Sequence, residues 1–165
     1  MPRKLKVAFS NGADDSVHSA FRDMGFMANP DGTFTLRIAG GLGGGYKMGI
    51  LVDEHVLATE ILYYIRAMIE TFCQHGNYEN RAKARTRFMQ ETLGVDGLKE
   101  AFLENVAKMK EKGGLDLHVE AKPVTKKGSG EIVDKRVVAQ KQSGLYAVAY
   151  HPIGGCLPAG KPAEL

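Results

Sequence analysis

The most constraining feature of this sequence is a one-sided apolar stripe over residues 58–76, ATEILYYIRAMIETFCQHG. Side chains three and four positions apart lie on the same face of a helix. The spacing therefore predicts a helix that buries this face in a core and ends at Gly76, with His75 in its last turn. The stripe consists of Ile61, Leu62, Ile65, Met68, Ile69 and Phe72.

Two further helices are predicted after this one. The segment NYENRAKARTRFMQETLG, residues 77–94, begins near asparagines that favour a helix start, and it ends at a glycine. The segment VDGLKEAFLENVAKMKEKGG, residues 95–114, carries Leu98, Phe102 and Val106 at a spacing of four.

Much of the remaining chain favours strands. Residues 3–10 are predicted as a first strand and residues 14–25 as a short helix. Residues 25–41, GFMANPDGTFTLRIAGG, predict a hairpin, because proline presets one turn angle and glycine supplies a positive φ. Two more strands, with a polar loop between them, are predicted at residues 115–124 and 143–155. The predicted fold class is α+β, with a mixed or antiparallel sheet packed by about three helices.

Composition excludes several classes of protein. With 165 residues, of which 44% are hydrophobic, the chain can form one domain with a real core. A net charge of +3 is far below that of a dedicated nucleic-acid binder. No apolar run reaches the roughly 20 residues of a membrane span, so we expect a cytoplasmic protein that binds neither membranes nor nucleic acid. Cys73 and Cys156 form no metal-binding motif and fit a reducing compartment.

Three cations precede the first apolar residues of the chain. In an extended chain, Lys4 and Lys6 share one face with their ammonium groups about 7 Å apart, and Arg3 lies on the other face. That spacing suits the binding of a small anion from two sides. It equally suits a solvated edge strand, because lysines discourage further strand pairing. The residues alone leave both interpretations open.

A glycine-rich run, GGLGGGYKMG, follows the hairpin at residues 40–49 and is called the glycine loop below. Glycine allows a backbone to approach a ligand closely. The run has neither the GxGxxG pattern nor a GK[ST] ending, so it gives little support to a nucleotide site. It is either a flexible connector or a close approach to a flat or bulky cofactor.

Residues 77–94 also carry four cations in their first half: Arg81, Lys83, Arg85 and Arg87. In a helix, Arg81 and Arg85 would lie one turn apart on the same face. The helix dipole favours anions in a first turn, so cations there need another explanation. They are either solvated or selected to bind an acidic ligand.

Three ordered blocks of the sequence resemble the siroheme-domain segment of the nitrite and sulfite reductase family. They are PRKLKVAFS, DMGFMANPDGTFTLRIAGGLG and ILYYIRAMIETFCQHGNYENRAKARTRFMQETLG, all within residues 2–94. A fourth block, KQSGLYAVAYHPIGG, resembles the opening of the family's second ferredoxin-like half. The resemblance implies half of a siroheme-binding module over residues 1–113 and a truncated second half over residues 114–165. We therefore expect this chain to be a piece of a longer polypeptide.

The resemblance also implies roles for individual residues. In the family, the PRKxK strand lies over siroheme and its lysines help to bind the substrate anion at the iron. By motif position, Lys4 and Lys6 would bind the anion and supply protons, and Arg3 would contact a siroheme carboxylate. The glycine loop would lie near the flat tetrapyrrole, with basic residues contacting its other carboxylates. These further cofactor-binding candidates are Gly40, Gly41, Gly43, Lys47, Arg81 and Arg85.

The activity implied by the resemblance is the six-electron reduction of sulfite to sulfide or of nitrite to ammonia. The family uses siroheme with a [4Fe–4S] cluster on four cysteines, spaced C-x5-C and C-x3-C, and takes electrons from a donor such as ferredoxin or a flavoprotein. This chain lacks that cysteine set. The cluster ligands would then lie in the rest of the parent polypeptide, and the isolated chain is expected to be inactive. The alternative left open is a non-catalytic α+β module that binds anions or nucleic acid.

Overall fold

The computed structural model describes residues 1–11, 15–118, 125 and 135–151. The chain divides into two compact units, Met1–Val119 and Glu120–Leu165. The first unit combines a four-stranded sheet with helices, and it contains all the elements that form the candidate site.

The sheet of the first unit is mixed. Its strands lie side by side in chain order as β1 (Val7–Ser10), β2 (Met24–Ala28), β3 (Phe34–Ile38) and β4 (Ile50–Val56). The first pair, β1 and β2, is parallel, whereas the other neighbouring pairs are antiparallel. A mixed sheet packed by helices confirms the predicted α+β class.

The Pro-Asp-Gly turn joins β2 to β3 and confirms the predicted hairpin. Gly32 has a φ of 86°, a value that side chains rarely permit. The Asp31 carboxylate accepts hydrogen bonds from the backbone N–H and the hydroxyl of Thr33, at 2.9 and 2.7 Å. The resulting register pairs Phe26 with Leu36, and both side chains are fully buried.

The fourth strand, β4, was not predicted. Its middle reads Asp53-Glu54-His55, and three consecutive polar residues hide the alternation by which a half-buried strand is recognised. Its two ends, Ile50 and Val56, are buried against the core. The register between β3 and β4 shifts twice, which is typical of a bulged pair.

Helices complete the first unit as α1 (Ile61–His75), the short α2 (Met89–Thr92) and α3 (Gly94–Lys112). The predicted end of α1 is confirmed, because the Gly76 backbone N–H donates to the Phe72 carbonyl at 3.0 Å. The buried face of α1 includes Tyr64 and Ala67 as well as the predicted Met68 and Phe72. Within the described residues, no helix is both long and apolar enough to cross a membrane.

The single helix predicted over residues 77–94 is wrong. The segment instead forms two turns of 3-10 helix, Arg81–Lys83 and Thr86–Phe88, followed by α2. An asparagine explains the first turn: the side chain of Asn80 accepts a hydrogen bond from the backbone N–H of Ala82 at 2.9 Å. Side chains of this type favour turns over a continuous helix.

The break between the two turns has a tertiary cause. Arg85 is extended, with φ −135° and ψ 150°. The side chains of Arg85 and Thr86 both donate to the carboxylate of Asp23. Consecutive side chains of a helix do not face the same way, so one carboxylate cannot hold both in a helix. The prediction that Arg81 and Arg85 share a helix face is therefore wrong.

Three other predicted elements need correction. The first strand begins at Val7 rather than at residue 3. The described part of residues 14–25 contains a 3-10 turn, Ser19–Phe21, in place of a helix. Residues 115–118 form no strand, and the remainder of the predicted strand at 115–124 lies outside the described residues.

The second unit contains a short antiparallel pair. Strand β5 (Val137–Ala139) pairs with β6 (Tyr146–Val148), with Val137 opposite Val148. The prediction of a strand within residues 143–155 is confirmed for β6. The last residues of that prediction, from residue 152, lie outside the described part of the chain.

Candidate functional site

A cleft of about 300 Å³ opens where the start of the chain, the glycine loop and the segment before α2 meet. Five basic side chains and one carboxylate belong to the residues that line it. The basic residues are Arg3, Lys6, Arg22, Arg85 and Arg87, and the carboxylate is that of Asp23. A concave surface with such an excess of one charge attracts ligands of the opposite charge. This cleft is therefore suited to an anion.

Asp23 connects the segments that form the cleft. Its side chain is 1% exposed. One carboxylate oxygen accepts from the Lys6 backbone N–H at 2.8 Å and from Arg85 Nη2 at 2.7 Å. The other oxygen accepts from the Thr86 hydroxyl at 2.5 Å. A single buried carboxylate thus joins the first strand to the cationic segment, although 62 residues separate it from Arg85.

The remaining cations are held mainly by neutral oxygen atoms. Arg22 donates from Nε and Nη2 to the Val17 carbonyl at 3.0 and 2.8 Å. Arg3 donates from Nη1 to the Arg81 carbonyl at 3.4 Å. A carbonyl fixes a guanidinium without cancelling its charge. These two arginines therefore keep their positive charge available to a ligand.

The connection between β1 and β2 places Phe21 and Arg22 in the cleft wall. The Asp15 carboxylate accepts from the backbone N–H and hydroxyl of Ser19, each at 3.0 Å. Desolvation opposes the charged form, but these hydrogen bonds outweigh it and hold the pKa of Asp15 below its usual value. The turn packs closely on the sheet, since a Cβ on Gly25 would lie 2.0 Å from the Ser19 carbonyl oxygen.

Arg87 passes beneath the glycine loop. Its side chain donates from Nε to the Gly45 carbonyl at 3.1 Å and from Nη2 to the Gly44 carbonyl at 2.8 Å. The guanidinium also lies 4.6 Å from the centroid of the Phe88 ring, a cation–π contact. The glycine loop is thus supported by a buried cation.

The structure brings five of the predicted site residues together. Arg3, Lys6, Gly41, Gly43 and Arg85 all line the cleft. They come from three separate parts of the sequence, and the fold joins them through Asp23 and the glycine loop.

Four other predicted residues lie outside this lining. Lys4 is exposed just before β1. Gly40 is buried, and a Cβ there would lie 2.4 Å from the Ala20 carbonyl oxygen. Lys47 pairs with Gly41 across the glycine loop through two backbone hydrogen bonds of 2.9 Å. Arg81 contributes its carbonyl oxygen, as the acceptor for Arg3.

Three charged residues of the cleft were not predicted as site residues: Arg22, Asp23 and Arg87. Arg22 and Asp23 lay inside a segment that the sequence assigned to a short helix. Arg87 was visible as one cation of a run, but its spacing gave no sign that it would be buried under the loop. The close juxtaposition of these residues depends on tertiary contacts that no local pattern shows.

The cleft fits the acidic edge of a large cofactor. Its volume of about 300 Å³ is at the lower end for ligand pockets, which favours a small oxyanion or part of a larger ligand over a complete macrocycle. Arg85 Nε is buried and has no hydrogen-bond partner among the described residues. A buried donor of this kind is costly unless an acceptor reaches it. Carboxylates of a tetrapyrrole such as siroheme match this donor set.

In the part of the chain that the structure describes, a metal or iron–sulfur centre has no comparable support. Among the described residues, no group of three histidine, cysteine or acidic side chains is placed to hold a metal. The sequence contains two cysteines, and Cys73 is half-buried in α1.

Comparison with known proteins gives consistent matches. Residues 1–110 match the nitrite and sulphite reductase 4Fe-4S domain. The chain is 30% identical to the chloroplastic ferredoxin–nitrite reductase of Arabidopsis thaliana, covering 100% of this chain and 28% of that protein. It is 28% identical to the ferredoxin–nitrite reductase of Synechococcus elongatus, covering 63% of this chain and 21% of that protein. It is 26% identical to the assimilatory ferredoxin-dependent nitrite reductase of Haloferax mediterranei, covering 61% and 19%.

The chain spans less than a third of the length of these relatives. The family match covers two-thirds of the chain, and every residue that lines the cleft falls within it. This chain belongs to the nitrite and sulphite reductase family.

Proposed function

We propose that this chain supplies an anion-binding wall of a siroheme-dependent nitrite reductase, which reduces nitrite to ammonia. The observation that carries the proposal is the cleft lined by five basic side chains and one carboxylate. Both nitrite and the carboxylates of siroheme are anions. A cationic cleft partly shielded from water binds such groups more strongly than exposed charges do.

The choice of nitrite and of ferredoxin as electron donor rests on the relatives. The three relatives named above are ferredoxin-dependent nitrite reductases. Because the chain spans less than a third of their length, the remaining parts of the enzyme would come from the rest of a parent polypeptide. Those parts would include the four cysteines of a [4Fe–4S] cluster, since this chain has two. Sulfite is the competing substrate within the same family.

The residues of the cleft would have different roles. Siroheme would supply the iron at which nitrite is reduced. Lys6, which lines the cleft, would donate hydrogen bonds to the anion and hold a proton close to it, and Lys4, two residues earlier in the chain, would be the second lysine of the pair. Arg3, Arg22 and Arg85 would bind carboxylates of the cofactor. Asp23 would hold the backbone at Lys6 and the side chain of Arg85 through the bonds described above.

The proposal is tested by titrating the complete 165-residue chain with uroporphyrin, a metal-free tetrapyrrole with as many carboxylates as siroheme. Porphyrin fluorescence reports binding. We expect Arg3→Ala and Arg22→Ala each to weaken binding about tenfold, because each removes a charged hydrogen-bond donor that is assigned to a cofactor carboxylate. The affinity of the unaltered chain should fall as NaCl is raised, because salt screens the attraction.

The matched control is Lys112→Ala, which removes an exposed lysine at the end of α3 and should change the affinity less than twofold. Equal losses for Lys112→Ala and Arg3→Ala would contradict a specific site. Tighter binding of a short single-stranded RNA than of uroporphyrin would favour a nucleic-acid module instead. In the parent polypeptide, faster turnover of sulfite than of nitrite would overturn the choice of substrate.

A further inference from the structure

The glycine loop forms part of the cleft wall. This requires a fixed shape, which flexible glycines do not supply by themselves. Gly41 and Gly43 line the cleft, and the loop closes on itself through the two backbone bonds between Gly41 and Lys47. A loop with so many glycines is costly to hold in one shape, because glycine loses the most conformational freedom on ordering. Something must fix this loop for it to serve as a wall.

We propose that Arg87 is the positioning residue that fixes the glycine loop, and that Gly41 and Gly43 are glycines because the Arg87 side chain occupies the space that their side chains would need. The inference rests on the proposed function, in that it treats the cleft as the anion site. It assigns Arg87 to the loop rather than to the ligand.

The contacts of Arg87 support this assignment. It is 8% exposed, and its two described hydrogen bonds both go to loop carbonyls, of Gly44 and Gly45. Its guanidinium also contacts the ring of Phe88. Carbonyls and a ring face are the partners of an arginine that holds structure together. A planar fork can hold two neighbouring carbonyls at once, which a lysine ammonium on a flexible stem does poorly.

The glycines give an independent observation. A Cβ on Gly41 would lie 3.0 Å from Arg87 Cδ, and a Cβ on Gly43 would lie 3.1 Å from Arg87 Nη2. Neither glycine has a positive φ, so φ does not bar alanine at either position. A Cβ on Gly44, by contrast, would meet nothing within 4 Å. The requirement for glycine at 41 and 43 therefore comes from Arg87.

The test is a double-mutant cycle on the complete chain. Gly43→Ala is made with Arg87 present and in an Arg87→Ala background, and Gly44→Ala is the matched control. Two readouts are used: uroporphyrin affinity, and hydrogen exchange of the Gly41 and Lys47 amides, which form the bonds that close the loop. Exchange of α1 amides reports that the fold is intact.

We expect Gly43→Ala to weaken uroporphyrin binding and loop protection about tenfold when Arg87 is present, the scale of one or two lost hydrogen bonds. In the Arg87→Ala background the same change should have less than a twofold further effect. Gly44→Ala should be neutral. Arg87→Lys keeps the charge but should still lose loop protection, because the fork is gone.

Three results would overturn the inference. One is a Gly43→Ala effect of the same size with and without the Arg87 side chain. Another is full loop protection and affinity in Arg87→Lys. The third is an effect of Gly44→Ala equal to that of Gly43→Ala. If Arg87→Ala does not fold, Arg87→Lys with the two alanine variants decides the matter. If the unaltered chain binds no uroporphyrin, the proposed function fails, while the exchange data still decide the role of Arg87.

Discussion

At the scale of single residues, the site depends on one buried acid among cations. Asp23 takes three donors, from Lys6, Arg85 and Thr86, and leaves Arg3 and Arg22 with their charges uncancelled. Removing one partner of a buried ion pair is more costly than the pair itself is stabilising, because the other charge is left without compensation. A small chemical change at Asp23 should therefore have a large effect on stability.

Asp23→Asn should lower the free energy of unfolding by about 3 kcal/mol. The amide removes the negative charge beside Arg85 Nη2, which is 2.7 Å away in the unaltered chain, and turns its NH₂ group toward donors. Urea unfolding at pH 7 measures the change. Glu111→Gln, an exposed carboxylate near the end of α3, is the control and should change stability by under about 0.5 kcal/mol.

A second variant separates charge from packing at this position. Adding Arg85→Gln to Asp23→Asn should recover part of the lost stability, because the uncompensated cation is then gone. Strictly additive losses in the double variant would contradict a coupled pair.

Little of this residue-level arrangement was predictable from the sequence. The cations of residues 3–6 and 81–87 were visible as candidates, and the fold brings Arg3, Lys6 and Arg85 to one cleft. Asp23, the partner of Lys6 and Arg85, was not visible, because no spacing rule connects it to Arg85, 62 positions away. Lys4 and Arg81 looked equivalent to their neighbours and lie outside the cleft lining. The roles assigned to all of these residues are still proposals.

At the scale of elements, the sheet and the helices are joined by a hydrogen bond to β4. The Tyr64 hydroxyl of α1 donates to the Asp53 carboxylate of β4 at 2.7 Å. Burial opposes the charge of Asp53, but bonds from the His55 backbone N–H and the Tyr64 hydroxyl, with the nearby Lys110, hold its pKa below the usual value. Burial and the same hydrogen bond raise the pKa of Tyr64.

These pKa shifts determine how the stability of the protein changes with pH. A carboxyl group whose pKa is depressed by folding contributes stability above its unfolded pKa, and this is lost as pH falls through the folded pKa. Tyr64→Phe should therefore cost about 1 kcal/mol at pH 7. The cost should shrink at a second, acidic pH below the ordinary aspartate pKa of about 3.9, since the carboxylate of Asp53 then takes up protons. Urea unfolding at the two pH values measures the difference.

Tyr78→Phe provides the control for this prediction. The Tyr78 hydroxyl donates to the backbone carbonyl of Cys73 at 3.0 Å, an acceptor that does not titrate. Its loss should cost the same at both pH values. A Tyr64→Phe cost that grows as the solution is acidified would contradict the assigned role of Asp53.

Elements with a strong local signal were predicted well, and elements fixed by tertiary contacts were not. The period of α1 and α3 and the Pro-Asp-Gly turn are properties of consecutive residues, and the structure confirms them. Strand β4 was missed because a charged residue such as Asp53 is typical of a polar loop. In the structure the Asp53 carboxylate accepts a hydrogen bond from Tyr64 instead of facing water. The predicted helix over residues 77–94 gave way to turns because Asp23 draws Arg85 and Thr86 toward one point.

At the scale of the whole molecule, the chain is one portion of the machinery that the proposed reaction needs. Its relatives are more than three times as long, and its two cysteines are fewer than a [4Fe–4S] cluster requires. We therefore propose that the cluster that would deliver electrons lies in the rest of the parent polypeptide. We expect experiments on this chain to detect ligand binding without reduction of nitrite.

The purified chain, supplied with siroheme and reduced methyl viologen, should not reduce nitrite at a measurable rate. Ammonia formation in an anaerobic assay measures this. The parent polypeptide under the same conditions is the control and should be active. Sustained turnover by the isolated chain would show that electrons reach nitrite without a cluster, and would contradict this division of roles.

The cationic cleft is proposed to bind carboxylates of siroheme and the substrate anion. A crystal structure of the parent polypeptide with siroheme and nitrite tests it most directly. We expect siroheme carboxylates at hydrogen-bond distance, about 3 Å, from the guanidinium groups of Arg3 or Arg22, with the Lys6 ammonium facing nitrite. Siroheme bound elsewhere, with the cleft filled only by solvent or covered by another part of the polypeptide, would contradict it.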